Sequence, residues 1–295
     1  MKAVLTVGIP CSGKSTWAER YCHENSAVEI NRDNLRMEIF GLECYDDYKM
    51  TKHNESLVTV EAGKLISKCA KQKYDIVISD TNLNKKYRNI LIDKLESLGY
   101  DVEIKIFNIE YFDAIKRNEK RKDKQVPRSV MYDMYRRFMD FLEEQGLWTK
   151  HKHYTGLKHA YIVDIDGTIS TNTGNRGFYE WEKVGIDAPL KQTIHIVNML
   201  YTLGFRIILM TGRDSICRAE TEDWLKRHDV KYDELHMRPE GSMEKDRYVK
   251  HQMYTDNIVN KYNVNAVFDD RPQVSLLWHD LGIHLFKVGD PLMEF

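Results

Sequence analysis

Two short stretches of this chain carry residue types spaced for phosphate chemistry. Gly8 to Ser15 reads GIPCSGKS, a G-x-x-x-x-G-K-[ST] pattern. In such a loop Gly8 and Gly13 let backbone N–H groups curl around the phosphates of a nucleotide, and Lys14 reaches the terminal oxygens. Ser15, with Thr16 beside it, opens a helix where a hydroxyl can hold magnesium. Far downstream, Asp164 and Asp166 stand two residues apart in Asp164-Ile165-Asp166-Gly167-Thr168, directly after the apolar run Ala160 to Val163. On extended chain, residues i and i+2 point the same way, so both carboxylates converge on one place. Asp164 can attack phosphorus as a nucleophile while Asp166 gives and then takes a proton. Two such carboxylates repel unless a cation joins them, which calls for a metal held by Asp164 and Asp166.

A nucleotide loop does not say what receives the phosphate. The next apolar run ends in Asn31-Arg32-Asp33-Asn34-Leu35-Arg36, and strand ends beside such a loop are where an α/β sheet places its ligands. Asp33 is therefore a candidate general base for an acceptor hydroxyl; it reads equally as a helix N-cap. Arg36 shares its face if a helix starts there. Asp80, at the end of a third run, is either a magnesium-supporting carboxylate or a cap. Arg117 and Arg121, spaced i to i+4, are expected on one helix face as a lid over the transferring phosphate. They sit in the basic stretch Lys116 to Arg128, which on composition alone is a solvated helix face.

The DxDGT segment resembles the signature of haloacid-dehalogenase-type phosphatases, and the other parts of that site follow in order. Arg206 to Met210 is a strand ending in Thr211-Gly212-Arg213, where hydroxyl and guanidinium would bind phosphate oxygens. Lys250 lies on a later helix and can shield the nucleophile. A strand from Asn265 to Phe268 ends in Asp269 and Asp270, expected as distal metal carboxylates. Only 42 residues separate Thr168 from Thr211 and 36 separate Arg213 from Lys250, too few for an independent cap. An uncapped site suits the end of a macromolecule better than a small metabolite.

These parts must be positioned by two sets of alternating elements. At 295 residues with 42% hydrophobic content, two domains are expected. In the first, strands at Ala3 to Val7, Ala27 to Ile30, Asp75 to Ser79 and Val102 to Phe107 alternate with helices such as Ser15 to Glu24, Glu55 to Ala70 and Lys85 to Leu98. Gly99 follows the last as a left-handed C-cap. A polar, aperiodic stretch, LWTKHKHYTGLKH, marks the boundary, and its His151, His153 and His159 read as solvated linker, not as metal ligands. Beyond it come strands near Glu234 to Met237 and a helix near Lys191 to Leu203. The domains are thus 1–148, a linker at 149–158, and 159–295. Net charge is −1, with 26 basic against 24 acidic residues up to Lys150 and 18 against 21 after it, so bulk charge gives no argument for nucleic acid. The five cysteines form no CxxC pair and read as reduced thiols. No apolar run is long enough to span a bilayer and no leader pattern is seen, so a soluble, cytoplasmic protein without a membrane partner is expected.

With these residues in place, the chain resembles the phage T4 type of polynucleotide 5′-kinase/3′-phosphatase over essentially its whole length. The resemblance implies an α/β fold of two domains: a P-loop, adenylate-kinase-like parallel sheet, then an uncapped Rossmann-like phosphatase domain. It implies transfer of the ATP γ-phosphate to a 5′-hydroxyl of RNA or DNA, with Mg2+, and removal of 3′-phosphate or 2′,3′-cyclic phosphate. Lys14, Ser15, Arg117 and Arg121 would serve ATP. Asp33 would be the base, and Arg36, Asp80 and Thr81 would meet the acceptor. In the phosphatase, Asp164, Asp166, Arg176, Arg213, Asp246, Lys250, Asp269 and Asp270 fall on functional positions. A downstream RNA or DNA ligase, a homotetramer and, for a phage-encoded chain, the host cytoplasm are further implications. The P-loop interior, Ile-Pro-Cys-Ser, and the Gly- and Asn-rich segment Ser170 to Asp187 depart from the pattern. The rival reading is a small-molecule P-loop kinase fused to a metabolite phosphatase.

Overall fold

A computed structural model describes residues 1–177 and 179–289, so that Phe178 and residues 290–295 of the expected second domain lie outside the description. The chain divides into two compact units, Met1–Trp148 and a second beginning at Thr149.

In the first unit β1 (Lys2–Val7), β2 (Val28–Ile30), β3 (Ile76–Ile78) and β4 (Asp101–Ile106) form a parallel sheet in the order β2-β3-β1-β4. Side chains alternate across β1: Ala3 and Leu5 enter one core with Ile30, Ile78, Val58, Ile66 and Leu95, while Val4 packs with Val77 and Ala18 on the opposite face. Both faces are therefore covered, as a parallel sheet requires. The helices are α1 (Lys14–Asn25), α2 (Arg32–Phe40), α3 (Lys52–Gln72), α4 (Lys85–Ser97), α5 (Tyr111–Glu119) and α6 (Arg128–Glu144). α3 starts three residues earlier than its apolar pattern because the Thr51 hydroxyl caps it, accepting from Asn54 N–H at 3.1 Å. Gly99 (φ 83°) ends the α4 turn, its N–H bonding the Glu96 carbonyl at 2.9 Å.

In the second unit β5 (Lys158–Val163), β8 (Arg206–Asp214), β9 (Glu234–Arg238), β10 (Tyr262–Asp269) and β11 (Leu285–Lys287) form a parallel sheet ordered β11-β10-β5-β8-β9. β6 (Ser170–Thr171) and β7 (Ala188–Pro189) make a small antiparallel ladder, and α7 (Lys191–Thr202), α8 (Arg218–Arg227), α9 (Asp246–Asn257) and α10 (Pro272–Asp280) flank the main sheet. Val163, Ile207, Leu209 and Phe268 from the strands bury against Val197, Trp224 and Leu225. Fully burying each such side chain is worth about 1.5–3 kcal/mol. Among the described residues, only the β6–β7 ladder, a 3-10 turn at Trp181–Ile186 and α7 lie between Thr168 and β8.

Two expectations change here. β8 does not stop before Thr211 but runs through Asp214, with a register shift against β9 between Thr211 and Asp214; such an irregularity re-aims side chains at a strand end. The histidine-rich stretch is not a free linker. The Val264 N–H donates to His151 Nε2 (2.9 Å), so Nδ1 carries the proton and donates to the Tyr254 hydroxyl (2.7 Å). His153 reaches the Val264 carbonyl (3.1 Å), and Asn263 and Tyr154 exchange two hydrogen bonds. Burial lowers the His151 pKa to about 4, with His153 adding repulsion.

Candidate active sites

The GIPCSGKS loop joins β1 to α1. Gly13 is the α1 N-cap at φ 95°, a left-handed conformation that only glycine adopts without strain. The Gly8 N–H bonds the Thr81 carbonyl (3.3 Å), tying the loop to the end of β3. Ser15 and Thr16 are exposed in the first turn of α1, where N–H groups lack helical partners. Lys14 is buried, its ammonium curled on the Ile9 carbonyl (2.7 Å) and the Ser12 hydroxyl (3.3 Å). Burial lowers its pKa to about 8, aided by the nearby Arg121 charge and opposed by Asp80 and Asp33. The Lys14 ammonium thus feels the charges of three other predicted residues, Arg121, Asp80 and Asp33. A cavity of about 750 Å³ lined by Gly13, Thr16, Trp17, Arg20 and Arg117 lies beside the loop, within the range of small-molecule sites.

Asp33 is not the helix cap. Asn31 is: its side chain accepts from the Asp33 and Asn34 N–H groups (2.9 and 3.1 Å), which frees the Asp33 carboxylate to face outward. That carboxylate accepts from Arg36 Nη1 (2.6 Å) and from the Tyr45 hydroxyl (2.9 Å) on one oxygen, Oδ1. Arg36 in turn grips both oxygens of Glu55 (2.8 and 2.9 Å), and its hydrogen bonds hold the Glu55 pKa down to about 2. Asp80 accepts the Arg32 N–H (3.0 Å) at the α2 N-terminus, and burial raises its pKa to about 6. The cap of α4 is Asn84, so Asp80 is not that helix's cap.

The arginine pair does not lie on one helix face. α5 ends at Glu119 because Asn118 turns inward and exchanges two hydrogen bonds with Val126 (2.8 and 3.0 Å). Arg117 remains on the last turn and reaches the Cys11 carbonyl (3.2 Å), whereas Arg121 lies beyond the helix and bonds the Lys124 carbonyl (3.3 Å). Lys124 then sets its ammonium over the Tyr45 ring at 4.7 Å. The basic segment therefore spans the P-loop and the turn that holds Asp33.

In the second unit Asp164 follows β5, Asp269 ends β10 and Asp270 comes directly after it. One carboxylate oxygen from each lies within 4.8 Å of the others. Gly167, at φ 77°, lets the Asp270 carboxylate approach where any Cβ would collide with it. Lys250, fully buried on α9, donates to Asp269 (2.9 Å) and pairs with Asp164 (3.0 Å). Burial, then repulsion from Asp269 and Asp270, raises the Asp164 pKa despite Lys250. The buried Asp270 Oδ1 has no hydrogen-bond partner among the described residues. A convergent set of hard oxygens with one left unpaired fits a divalent cation such as Mg2+.

The Asp166 carboxylate stands apart from that set. Arg213 Nε and Nη2 donate to its two oxygens (2.9 and 2.8 Å), and Arg176 adds a longer contact (3.3 Å). Burial alone would raise its pKa; Arg213 and Arg176 hold it below the usual value. The Arg213 guanidinium, expected on phosphate oxygens, is thus committed to Asp166 and to Asp187 (2.8 Å). Thr211 accepts from the Arg213 N–H (3.1 Å) and keeps its own O–H to donate. Asp246, the first residue of α9, is bound by Arg238 and Arg271 (3.2 Å each) and is no exposed helix carboxylate.

Sequence reasoning missed Tyr45, Glu55, Asp187 and Arg271. Arg271 directly follows the Asp269-Asp270 pair, a signal that could have raised it. The other three stand at ordinary spacing in polar surroundings, and only the folded chain brings them to the sites.

Residues 158–291 match the family described as the polynucleotide kinase PNKP phosphatase domain, and residues 4–141 match an AAA domain family. Over 309 aligned residues, covering 99% of this chain, it is 30% identical to a protein named putative bifunctional polynucleotide kinase/RNA ligase from Autographa californica nuclear polyhedrosis virus. The chain spans 43% of that curated relative, less than half its length. A chain in the structure of the Pnkp1/Rnl/Hen1 RNA repair complex is 26% identical, with 99% of this chain and 97% of that one covered and a TM-score of 0.46. A second structure of the Pnkp1/Rnl/Hen1 complex gives 27% identity over the same shares and a TM-score of 0.47. Two family models thus meet in one chain, the polynucleotide kinase PNKP phosphatase domain matching residues 158–291 and an AAA domain matching residues 4–141, each over somewhat less than half of its length.

Proposed function

We propose that this chain heals nucleic-acid ends: its first unit transfers the γ-phosphate of ATP to a 5′-hydroxyl of RNA or DNA, and its second removes a 3′-phosphate or a 2′,3′-cyclic phosphate. The observation that carries the reading is the contrast between Asp164 and Asp166, two carboxylates of one strand end placed in opposite environments. Divergent environments mark divergent roles.

In the first unit the P-loop backbone, Lys14 and Arg121 surround the transferring phosphate, with Ser15 as the magnesium-holding hydroxyl. Asp33 accepts the proton of the acceptor hydroxyl, on the carboxylate that Arg36 and Tyr45 orient. Asp80 and Thr81 line the acceptor side.

In the second unit Asp164 attacks phosphorus, and a bound Mg2+, held by Asp164, Asp269 and Asp270, would neutralise the carboxylates and polarise the phosphoryl group. Lys250, paired with the nucleophile at 3.0 Å, opposes the burial and carboxylate repulsion that raise its pKa, and the bound Mg2+ would complete its ionisation. The P–O bond to the sugar breaks as the Asp164–phosphorus bond forms, and the leaving 3′-oxygen takes a proton from Asp166. Asp166 then accepts a proton from the water that hydrolyses the aspartyl-phosphate. While Arg213 and Arg176 clamp it, Asp166 is ionised and suited to the second task. Binding of the phosphate, which draws the arginines toward its own oxygens, raises the Asp166 pKa so that it takes up a proton from solvent, and this is the proton it gives in the first.

The products, a 5′-phosphate and a 3′-hydroxyl, are the ends a ligase joins, so a ligase is the proposed downstream partner and a homotetramer the proposed assembly. No helix among the described residues is long and apolar enough to cross a membrane. The test is incubation with magnesium and labelled ATP, offering a 5′-hydroxyl oligonucleotide, a panel of nucleosides and sugars, and a 3′-phosphorylated oligonucleotide. Label on the oligonucleotide and release of its 3′-phosphate support the reading; label on small molecules alone replaces it with the metabolite-kinase rival.

A further inference from the structure

In the first unit α3 and α4 enclose an open groove of about 750 Å³, lined by Thr59, Lys64, Ser67, Lys68, Lys71 and Lys94. Lys64, Lys68 and Lys71 follow at i, i+4 and i+7, one face of a helix. Lys94 crosses from α4 over Gly63, its ammonium 2.9 Å from where a Cβ would stand, so the absence of a side chain there is what lets the fourth charge join the row. Glu61 pairs with Lys64 (3.0 Å); Lys68, Lys71 and Lys94 have no carboxylate partner among the described residues. Four ammonium groups gathered round hydroxyls and amides match a chain of phosphates.

One end of the groove, at Thr59, is tied to the acceptor side. Arg32, the neighbour of Asp33, donates to Thr59 Oγ1 (3.0 Å) and to Glu55 (3.0 Å), one turn earlier on α3, where Arg36 also ends. From Thr59 to Gln72 the helix rises about 20 Å at ~1.5 Å per residue. That length accommodates about six phosphates of a stacked strand at ~3.4 Å each.

We propose that this lysine groove is the track along which the acceptor polynucleotide runs, from a 5′-hydroxyl at Asp33 toward the C-terminal end of α3. The inference rests on the polynucleotide reading of the first unit and deepens it: the groove measures substrate length and carries most of the salt dependence of acceptor binding, without reading sequence.

The experiment uses the full chain and a Lys64→Ala/Lys68→Ala/Lys71→Ala/Lys94→Ala variant, with Lys68→Glu/Lys71→Glu as the charge-reversed companion. All are on exposed or half-exposed helix surface and leave the catalytic side chains in place. Kinase KM is measured across a salt series for a nucleoside 3′-phosphate, a 5′-hydroxyl 6-mer and a 5′-hydroxyl 20-mer. The expected result is a KM for the two oligonucleotides raised about tenfold or more. The expected salt slope is flatter by about 3, at ~0.7 per lost single-strand contact, with the nucleoside 3′-phosphate unchanged. Oligonucleotide KM and salt slope equal to wild type would overturn the groove, and so would equal weakening of all three acceptors, which marks damage to the acceptor site itself. A wild-type protein that labels nucleosides but neither oligonucleotide removes the polynucleotide reading, and the groove with it. Wild-type labelling of oligonucleotides that the variants leave unaltered removes the groove alone.

Discussion

The Asp187 carboxylate lies 2.8 Å from the Arg213 guanidinium with both side chains buried, and it grips Arg176 through both of its oxygens (2.8 Å each). One carboxylate therefore fixes both cations that face Asp166. It is a positioning residue: it touches the arginines, and they touch the proton-transfer group.

Asp187→Asn keeps the shape but removes the charge that shares the arginines, leaving both to act on Asp166. Phosphatase kcat should fall at least about tenfold, or ~1.4 kcal/mol in the barrier, with kinase activity retained. The alkaline limb of the phosphatase pH profile should move to lower pH, because Asp166 is held ionised more strongly. Breaking a buried pair also destabilises, by about 3–5 kcal/mol. A rate lowered uniformly at every pH would therefore mark a structural effect only.

Asp33→Asn should cost the kinase about 100-fold or more and spare the phosphatase, while Asp164→Asn should do the reverse. Assaying both reactions on each variant checks this. Loss of both activities from one substitution, with the fold intact by circular dichroism, would contradict two independent sites.

The Lys14 ammonium, with its pKa lowered to about 8 by burial, loses its proton as pH rises through that value. Nucleotide phosphates bind the protonated form, so the apparent Kd for ATP should rise by about tenfold per pH unit above pH 8. Isothermal titration between pH 7 and 9.5 measures it. Lys14→Arg, whose charge does not titrate in that range, should bind ATP without this dependence.

His151 is neutral in the folded chain, with a pKa of about 4, and protonates near 6.5 when unfolded. Between those values the unfolded state binds more protons, so the stability of the second unit is full above about pH 6.5 and declines as pH falls toward 4. Thermal melts at pH 7 and pH 4.5 should differ less for His151→Gln, which loses the titrating group. An unchanged difference would remove His151 as its source.

Mg2+ should raise the melting temperature of the second unit by relieving repulsion among Asp164, Asp269 and Asp270, as any ligand of the folded state does. Asp270→Asn should melt higher than wild type without metal and respond little to it, because burial and Asp269 already push the Asp270 pKa up to about 6. Differential scanning calorimetry with Mg2+ and with a chelator reads both.

What was legible in the amino-acid order is what is local in the chain. The GIPCSGKS loop is a contiguous turn between one strand and one helix, and Asp164 with Asp166 share a side because strand geometry alternates with period 2. Likewise the inner strands announced themselves as short apolar runs, since β3 and the middle of β8 are buried on both faces, whereas the edge strand β4 alternates exposed and half-buried residues. The segment around Arg117 and Arg121 was misread because equal spacing does not guarantee helix: Asn118 turned inward and ended α5. His151 looked solvated because its partners, Val264 and Tyr254, lie over 100 residues away.

By itself, then, the sequence determined the two reactive segments, their order and the α/β frame, all carried by neighbours along the chain. Only the tertiary structure decided which oxygen each cation holds. Arg213 goes to Asp166 and Asp187 instead of facing outward, Arg36 to Asp33 and Glu55, and Lys250 to Asp164 and Asp269. The reason is that a buried charge must find a partner wherever packing puts one, and packing joins residues that the order of the chain keeps far apart.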